Sequence, residues 1–214
     1  MIAEIGVDRM ATVQTKLYEY GQTEIDYLSE VDEILGNAMK RIGRVDRVII
    51  PDIFTALVHA IVGQLISVKS VNTIWERMQT RLGEITPHNI ALQHIEDIQK
   101  CGITMKKASY IKDISNAVVQ GSINLEDVHQ LSDKEVITML TKFNGVGKWT
   151  AEMILMNAME RPNIVSWGDI AIRRGMMKLY GLQMISEDQF GLYQRRYSPF
   201  GSVASIYLWQ ISVE

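Results

Sequence analysis

Apolar residues recur every three or four positions through most of this chain, the spacing of amphipathic helices. From Thr23, the residues Ile25, Leu28, Val31, Leu35, Met39 and Ile42 share one face, and Gly43 follows as a stop. Asp52 is placed to cap a helix carrying Ile53, Leu57, Ile61 and Leu65. Ser67 restarts the period through Val71, Ile74, Trp75, Met78 and Leu82, ahead of Gly83. Short helical stretches follow Pro87 and Ile95, and Met105 to Gln120 reads as a longer helix ended by Gly121. Three further helices are expected over Asp169 to Tyr180, Glu187 to Arg195 and Ser202 to Ile211. No convincing strand alternation or repeat interrupts this pattern, and Met1 to Gly21 has no clear period. The predicted fold class is all-α.

Between Gly121 and Asp169 the pattern changes in an informative way. Ser132 and Glu135 form an S-x-x-E capping box ahead of Val136, Ile137, Leu140 and Phe143. Trp149, Met153, Met156 and Met159 resume the helical period downstream. Asn144-Gly145-Val146-Gly147 is therefore a tight turn between two helices, with glycines able to take positive φ and to let an outside group approach the backbone. Amides of Gly145, Gly147 and Lys148 are expected to lie unpaired at the first turn of the second helix, where the helix dipole favours an anion such as a DNA phosphate. A turn of this kind can also do no more than cap.

Composition narrows the classes. The chain has 214 residues, 47% of them hydrophobic and 22% charged, which suits one domain or two packed lobes with a proper core. No run approaches the roughly 18 apolar residues of a membrane span, and the N-terminus has no signal-peptide pattern, so a cytoplasmic protein is expected. The single cysteine, Cys101, excludes a disulfide framework and any iron–sulfur cluster held by four cysteines. His59, His88, His94 and His129 lack metal-ligand spacing, and the pairs Arg173-Arg174 and Arg195-Arg196 read as solvated faces. A net charge of −3 argues against a general DNA-coating protein without excluding a locally basic docking face.

Phe143-x-Gly145-Val146-Gly147-x-Trp149-Thr150-Ala151, followed by Asp169, resembles the helix-hairpin-helix and catalytic-aspartate signature of the HhH-GPD DNA glycosylases. The similarity is strongest to their alkylpurine branch, typified by 3-methyladenine DNA glycosylase II. Three more segments resemble family motifs: Ile61 to Val68, Cys101 to Ala108, and Tyr197-Ser198-Pro199-Phe200. The resemblance spans about Asp52 to Trp209. It implies a single glycosylase domain over residues 1–214, with a central helical lobe at about 52–165 and a terminal lobe from about 1–51 plus 166–214. The hairpin would border the cleft between lobes.

The resemblance also implies roles. Asp169, which the residues alone mark as a helix N-cap, occupies the family's essential carboxylate position; there it would stabilise an oxocarbenium-like sugar and orient the attacking water. The place where the glycosylase/lyase branches carry a nucleophilic lysine holds Trp149, so a monofunctional enzyme that leaves an abasic site is expected. Lys148 lies one step away, about 100° around the helix, and suits a phosphate contact. Trp149 and Phe200 are expected base-pocket walls, with Met153 and Trp167 as further candidates. Gln64 and Leu65 stand at the position of the wedge that fills the gap left by a flipped base, although Leu65 also fits its own helix's apolar face. Gly145, Val146, Gly147, Lys148 and Thr150 would grip DNA phosphate. Backbone carbonyls of Thr141, Phe143 and Val146 would hold Na+ or K+, with no other cofactor.

The implied partner is double-stranded DNA bearing alkylated bases, bound by a monomer away from any membrane. Alternatives are a glycosylase for another damaged or deaminated base, a non-catalytic helix-hairpin-helix DNA-binding protein, and a helical scaffold whose glycine turn merely caps.

Overall fold

The computed structural model describes residues 13–125 and 127–214; the first twelve residues of the unassigned Met1 to Gly21 stretch lie outside it. Among the described residues there are twelve α-helices and one two-stranded ladder, so the all-α expectation holds. The helix expected from Thr23 to Ile42 is two helices, α1 (Gln22–Val31) and α2 (Glu33–Ile42). Asp32 breaks the run. Its backbone is extended, and its Oδ1 accepts the Leu35 amide at 2.9 Å as the N-cap of α2. Val31 and Leu35 keep the apolar period across the corner, which is why the pattern alone hides it.

The chain divides into two units. One comprises Phe54–Glu126, and the other Thr15–Ile53 together with Asp127–Glu214. This differs from the expected lobes: the hairpin region belongs with the terminal segments, not with the central one. Local bonds explain the grouping. Arg161 donates to the carbonyls of His129 and Leu131, while its own carbonyl accepts from the hydroxyls of Tyr18 and Ser202.

The first unit holds α3 (Ile53–Gly63), α4 (Val68–Leu82), α5 (Pro87–Leu92), α6 (Ile95–Gln99) and α7 (Met105–Val119). Phe54, Leu57, Val58, Ile61 and Val62 of α3 are buried, as are Val71, Ile74, Trp75 and Met78 of α4. Ser67 caps α4 through its side-chain oxygen, as its position predicts, and Thr104 does the same for α7.

The second unit opens on a ladder too short to leave an alternating signature, β1 (Lys16–Leu17) antiparallel to β2 (Val48–Ile49). It continues through α1 and α2, a 3₁₀ turn at Asp127–Gln130, α8 (Asp133–Leu140), α9 (Lys148–Asn157), α10 (Ile170–Leu179), α11 (Glu187–Tyr197) and α12 (Gly201–Val213). Asp32, almost fully buried, accepts Tyr180 Oη at 2.6 Å and Arg196 Nη1 at 2.8 Å, joining the α1–α2 corner to α10 and α11. Arg196 stays exposed, as expected, while one of its nitrogens pairs with Asp32. Helices α10 and α12 meet so closely that a Cβ on Gly175 would lie 1.9 Å from the Leu208 carbonyl oxygen. Only glycine fits there.

Candidate active site

Asp169 is the N-cap of α10. Its Oδ1 accepts the amides of Ala171 at 2.9 Å and Ile172 at 3.0 Å, and its Oδ2 accepts Trp149 Nε1 at 3.0 Å. Three N–H groups thus fix a carboxylate that is only 7% exposed. The capping reading and the reactive reading describe one geometry. A side chain that would otherwise satisfy only the helix start is turned by the indole toward α9.

Trp149 therefore does more than form a wall. It is 43% exposed, so one part of the ring remains open while its N–H is spent on Asp169. The loop before Asp169 approaches it closely: a Cβ on Gly168 would sit 3.1 Å from Trp149 Cβ. Ser166 in the same loop donates a short hydrogen bond to Glu152 of α9. Glu152 also pairs with Lys148 at 3.7 Å, four residues apart on the helix. The Lys148 side chain is otherwise 74% exposed and free to reach an anion in solvent.

The hairpin has Ser132 and Glu135 in the expected capping box, then a turn between α8 and α9. Gly145 takes φ +85°, which favours glycine. Gly147 does not; its φ of −84° suits any residue, and a Cβ there would meet open space. Nothing inside the protein demands glycine at 147. The N-terminus of α9 has no side-chain cap, so its first-turn amides are left for an outside acceptor.

Two residues of the expected phosphate-binding set have buried side chains. Val146 is buried and its amide donates to the Phe143 carbonyl at 3.1 Å, so this residue anchors the turn. The Thr150 side chain is also buried, leaving only its backbone at the first turn. Gly145 has an interaction of its own within the protein as well. The uncapped first-turn amides of α9 and the exposed Lys148 side chain are donors that an outside anion could use.

The expected pocket residues separate into three settings. Met153 lies one turn beyond Trp149 on α9, half-buried, with Asn157 donating to its carbonyl at 3.0 Å. Phe200 packs edge-on against Tyr27 at 5.3 Å, and Trp167 packs edge-on against Phe190 at 5.2 Å beneath the Arg173 guanidinium. Arg173 is thus part of this stack rather than a solvated face. Only Trp149 is joined directly to Asp169.

Arg47 was missed by sequence reasoning. Its Nε donates to Asn157 at 3.3 Å and its guanidinium lies 4.3 Å over Trp209. Burial pulls its pKa down, and the negative charge of Asp169 opposes that shift. A lone arginine in Arg44-Val45-Asp46-Arg47 offers no sequence signal.

In the first unit, Leu65 departs from its expected helical setting. Helix α3 ends at Gly63, and Leu65 lies beyond it at φ +60° with its side chain fully exposed. That conformation costs a non-glycine residue about 1–2 kcal/mol. A strained, solvated leucine makes no contribution to a core, so the packing alternative does not hold for Leu65.

A carboxylate is held by a helix N-terminus and an indole, beside a glycine turn that joins two helices and leaves the second uncapped. The comparisons identify the class. Residues 58–196 match the HhH-GPD superfamily of base excision DNA repair proteins, and the chain belongs to that family. DNA-3-methyladenine glycosylase 1 of Schizosaccharomyces pombe is 30% identical over 74% of this chain and 72% of its own length. A Bacillus halodurans structure described as DNA-3-methyladenine glycosidase superposes with TM-score 0.80 at 26% identity, covering 93% of this chain and 92% of that one. The S. pombe 3-methyladenine DNA glycosylase in complex with abasic DNA gives TM-score 0.77 at 28% identity, over 88% and 96% of the two chains. Among the described residues, no helix is long and apolar enough to cross a membrane.

Proposed function

We propose that this protein is a monofunctional DNA glycosylase that excises alkylated purines of the 3-methyladenine type from double-stranded DNA. The observation that carries this reading is the Asp169 carboxylate, held by two α10 amides and Trp149 at the edge of the hairpin. In the reaction, the bond between the sugar C1′ and the base nitrogen breaks, and its electron pair leaves with the base. An N-alkylated purine carries positive charge before departure, so that pair neutralises it and no strong acid is needed. Asp169 stabilises the positive charge that grows on the sugar. Water then bonds to C1′ and gives up a proton, which the carboxylate accepts.

No amine stands at position 149 to attack C1′, which supports hydrolysis without strand cleavage. The uncapped first turn of α9 and Lys148 would take a backbone phosphate, and open space at Gly147 lets the strand come close. Carbonyls of Thr141 and Phe143, at the negative end of the α8 dipole, together with that of Val146, have the neutral oxygen chemistry suited to Na+ or K+. Such an ion would add positive charge beside the phosphate. Leu65 would enter the base stack as the lesion leaves it. The protein would work as a monomer in the cytoplasm.

The test is release of methylated bases from alkylated duplex DNA, resolved chromatographically beside deaminated and oxidised substrates. Wild-type protein should release 3-methyladenine, whereas Asp169→Asn should release none and still bind DNA within about tenfold, since the carboxylate acts on the transition state. Undiminished release by Asp169→Asn removes the residue from the chemistry.

A further inference from the structure

Leu65 is carried by a loop whose own backbone bonds are long. Gln64 N to Ile61 O and Ile66 N to Gly63 O are each 3.4 Å. A side chain from α7 supplies shorter ones: Lys107 Nζ donates to the Val62 carbonyl at 2.9 Å and the Gln64 carbonyl at 2.7 Å. These two acceptors bracket Gly63, where α3 ends, so one ammonium bridges the last turn and the residue immediately before Leu65. Lysine suits this task because it presents three donors on one atom, and a cation at a helix C-terminus is favoured by the dipole. Its neighbour Lys106 is exposed and lies 5.9 Å from the Tyr110 ring centroid, with no comparable pair of acceptors.

We infer that Lys107 is a positioning residue for base flipping, holding the α3–α4 loop so that Leu65 projects into solvent ready to enter the base stack. This rests on the reading of Leu65 as the wedge. The same α7 helix carries a structural counterpart: Lys112 Nζ donates to the carbonyls of Ala91 and Gln93 at 2.5 Å each, closing α5 around Leu92, which is exposed but has no positive φ. Lys107 differs in what its acceptors carry. Ile66 and Val68, also exposed, flank Leu65 and would slide over the DNA with it if the loop were released.

The experiment is a double-mutant cycle of wild type, Leu65→Ala, Lys107→Met and the double variant. Two readouts are taken: fluorescence of 2-aminopurine stacked beside an abasic analogue in duplex DNA, and 3-methyladenine release under single turnover. Anisotropy with the same duplex monitors binding. Lys107→Met and Leu65→Ala should each lower unstacking and release by about tenfold, with DNA affinity within about twofold. The double variant should be no worse than the poorer single one, because a single path is lost in both.

Full unstacking by Lys107→Met beside an impaired Leu65→Ala would overturn the inference and leave the wedge standing. Losses that multiply in the double variant also overturn it, since Lys107 would then act elsewhere. Normal unstacking by Leu65→Ala removes the wedge reading, and the inference with it. The fluorescence readout needs no base release, so a failure of the proposed substrate stays separate. Should Lys107→Met fail to fold, Lys107→Gln enters the same cycle and is judged by the same criterion of non-additivity.

Discussion

Replacing Trp149 by phenylalanine isolates one hydrogen bond. The change keeps an aromatic face and the same Cβ, so the close approach to Gly168 survives, but it deletes the Nε1–H that Asp169 Oδ2 accepts at 3.0 Å. A hydrogen bond to a charged group contributes about 1.5–3 kcal/mol. Because Trp149 is 43% exposed, water can partly replace the donor, and the lower end of that range applies. At about 1.4 kcal/mol per factor of ten, the single-turnover rate should fall about tenfold. The two α10 amides on Oδ1 remain, so activity should not vanish. Methylated-base release under enzyme excess gives the rate, and anisotropy gives DNA affinity, which should change by less than about twofold. A rate within about twofold of wild type would refute the argument that the indole orients the carboxylate. A tenfold weaker affinity at unchanged rate would make Trp149 a binding wall alone.

Borohydride should trap no covalent protein–DNA adduct, because the place of the lyase lysine holds Trp149; efficient trapping, read as a shifted band on a denaturing gel, contradicts hydrolysis. Gly145→Asp with Gly147→Asp should weaken binding to all DNA sequences alike, since phosphate contacts carry no sequence information; unchanged anisotropy would make the turn purely structural. Gly175→Ala should destabilise the fold by about 3 kcal/mol or more, because its Cβ falls 1.9 Å from the Leu208 carbonyl oxygen and the helices must separate; a melting temperature equal to wild type contradicts that packing.

Several helix starts were legible because their chemistry is local. Ser132 with Glu135, Ser67 and Asp169 all cap the helices that their spacing announces. What escaped is non-local or hidden by a continuing period. Asp32 breaks a helix whose apolar stripe runs on through Leu35, and its reason for being buried comes from Tyr180 and Arg196 far along the chain. Leu65 keeps the period of α3 after the helix has ended, so periodicity assigns to a core a side chain that is wholly solvated. Val146 and Thr150 sit inside a motif that points outward, yet both are buried. The bond from Trp149 to Asp169 spans twenty positions, and no spacing rule encodes it. Arg47 depends wholly on the fold for its place between Asn157 and Trp209.

The contact of Gly175 with the Leu208 carbonyl bears on how this enzyme can be altered. Helix α10 is seated main chain against main chain, and Asp169, the carboxylate proposed to act on the sugar, stands one residue before its start. The backbone that carries Asp169 is therefore seated by main-chain contact, while its carboxylate is still oriented by the Trp149 indole. Changes that keep the α10–α12 seam intact should leave the Asp169 backbone in place.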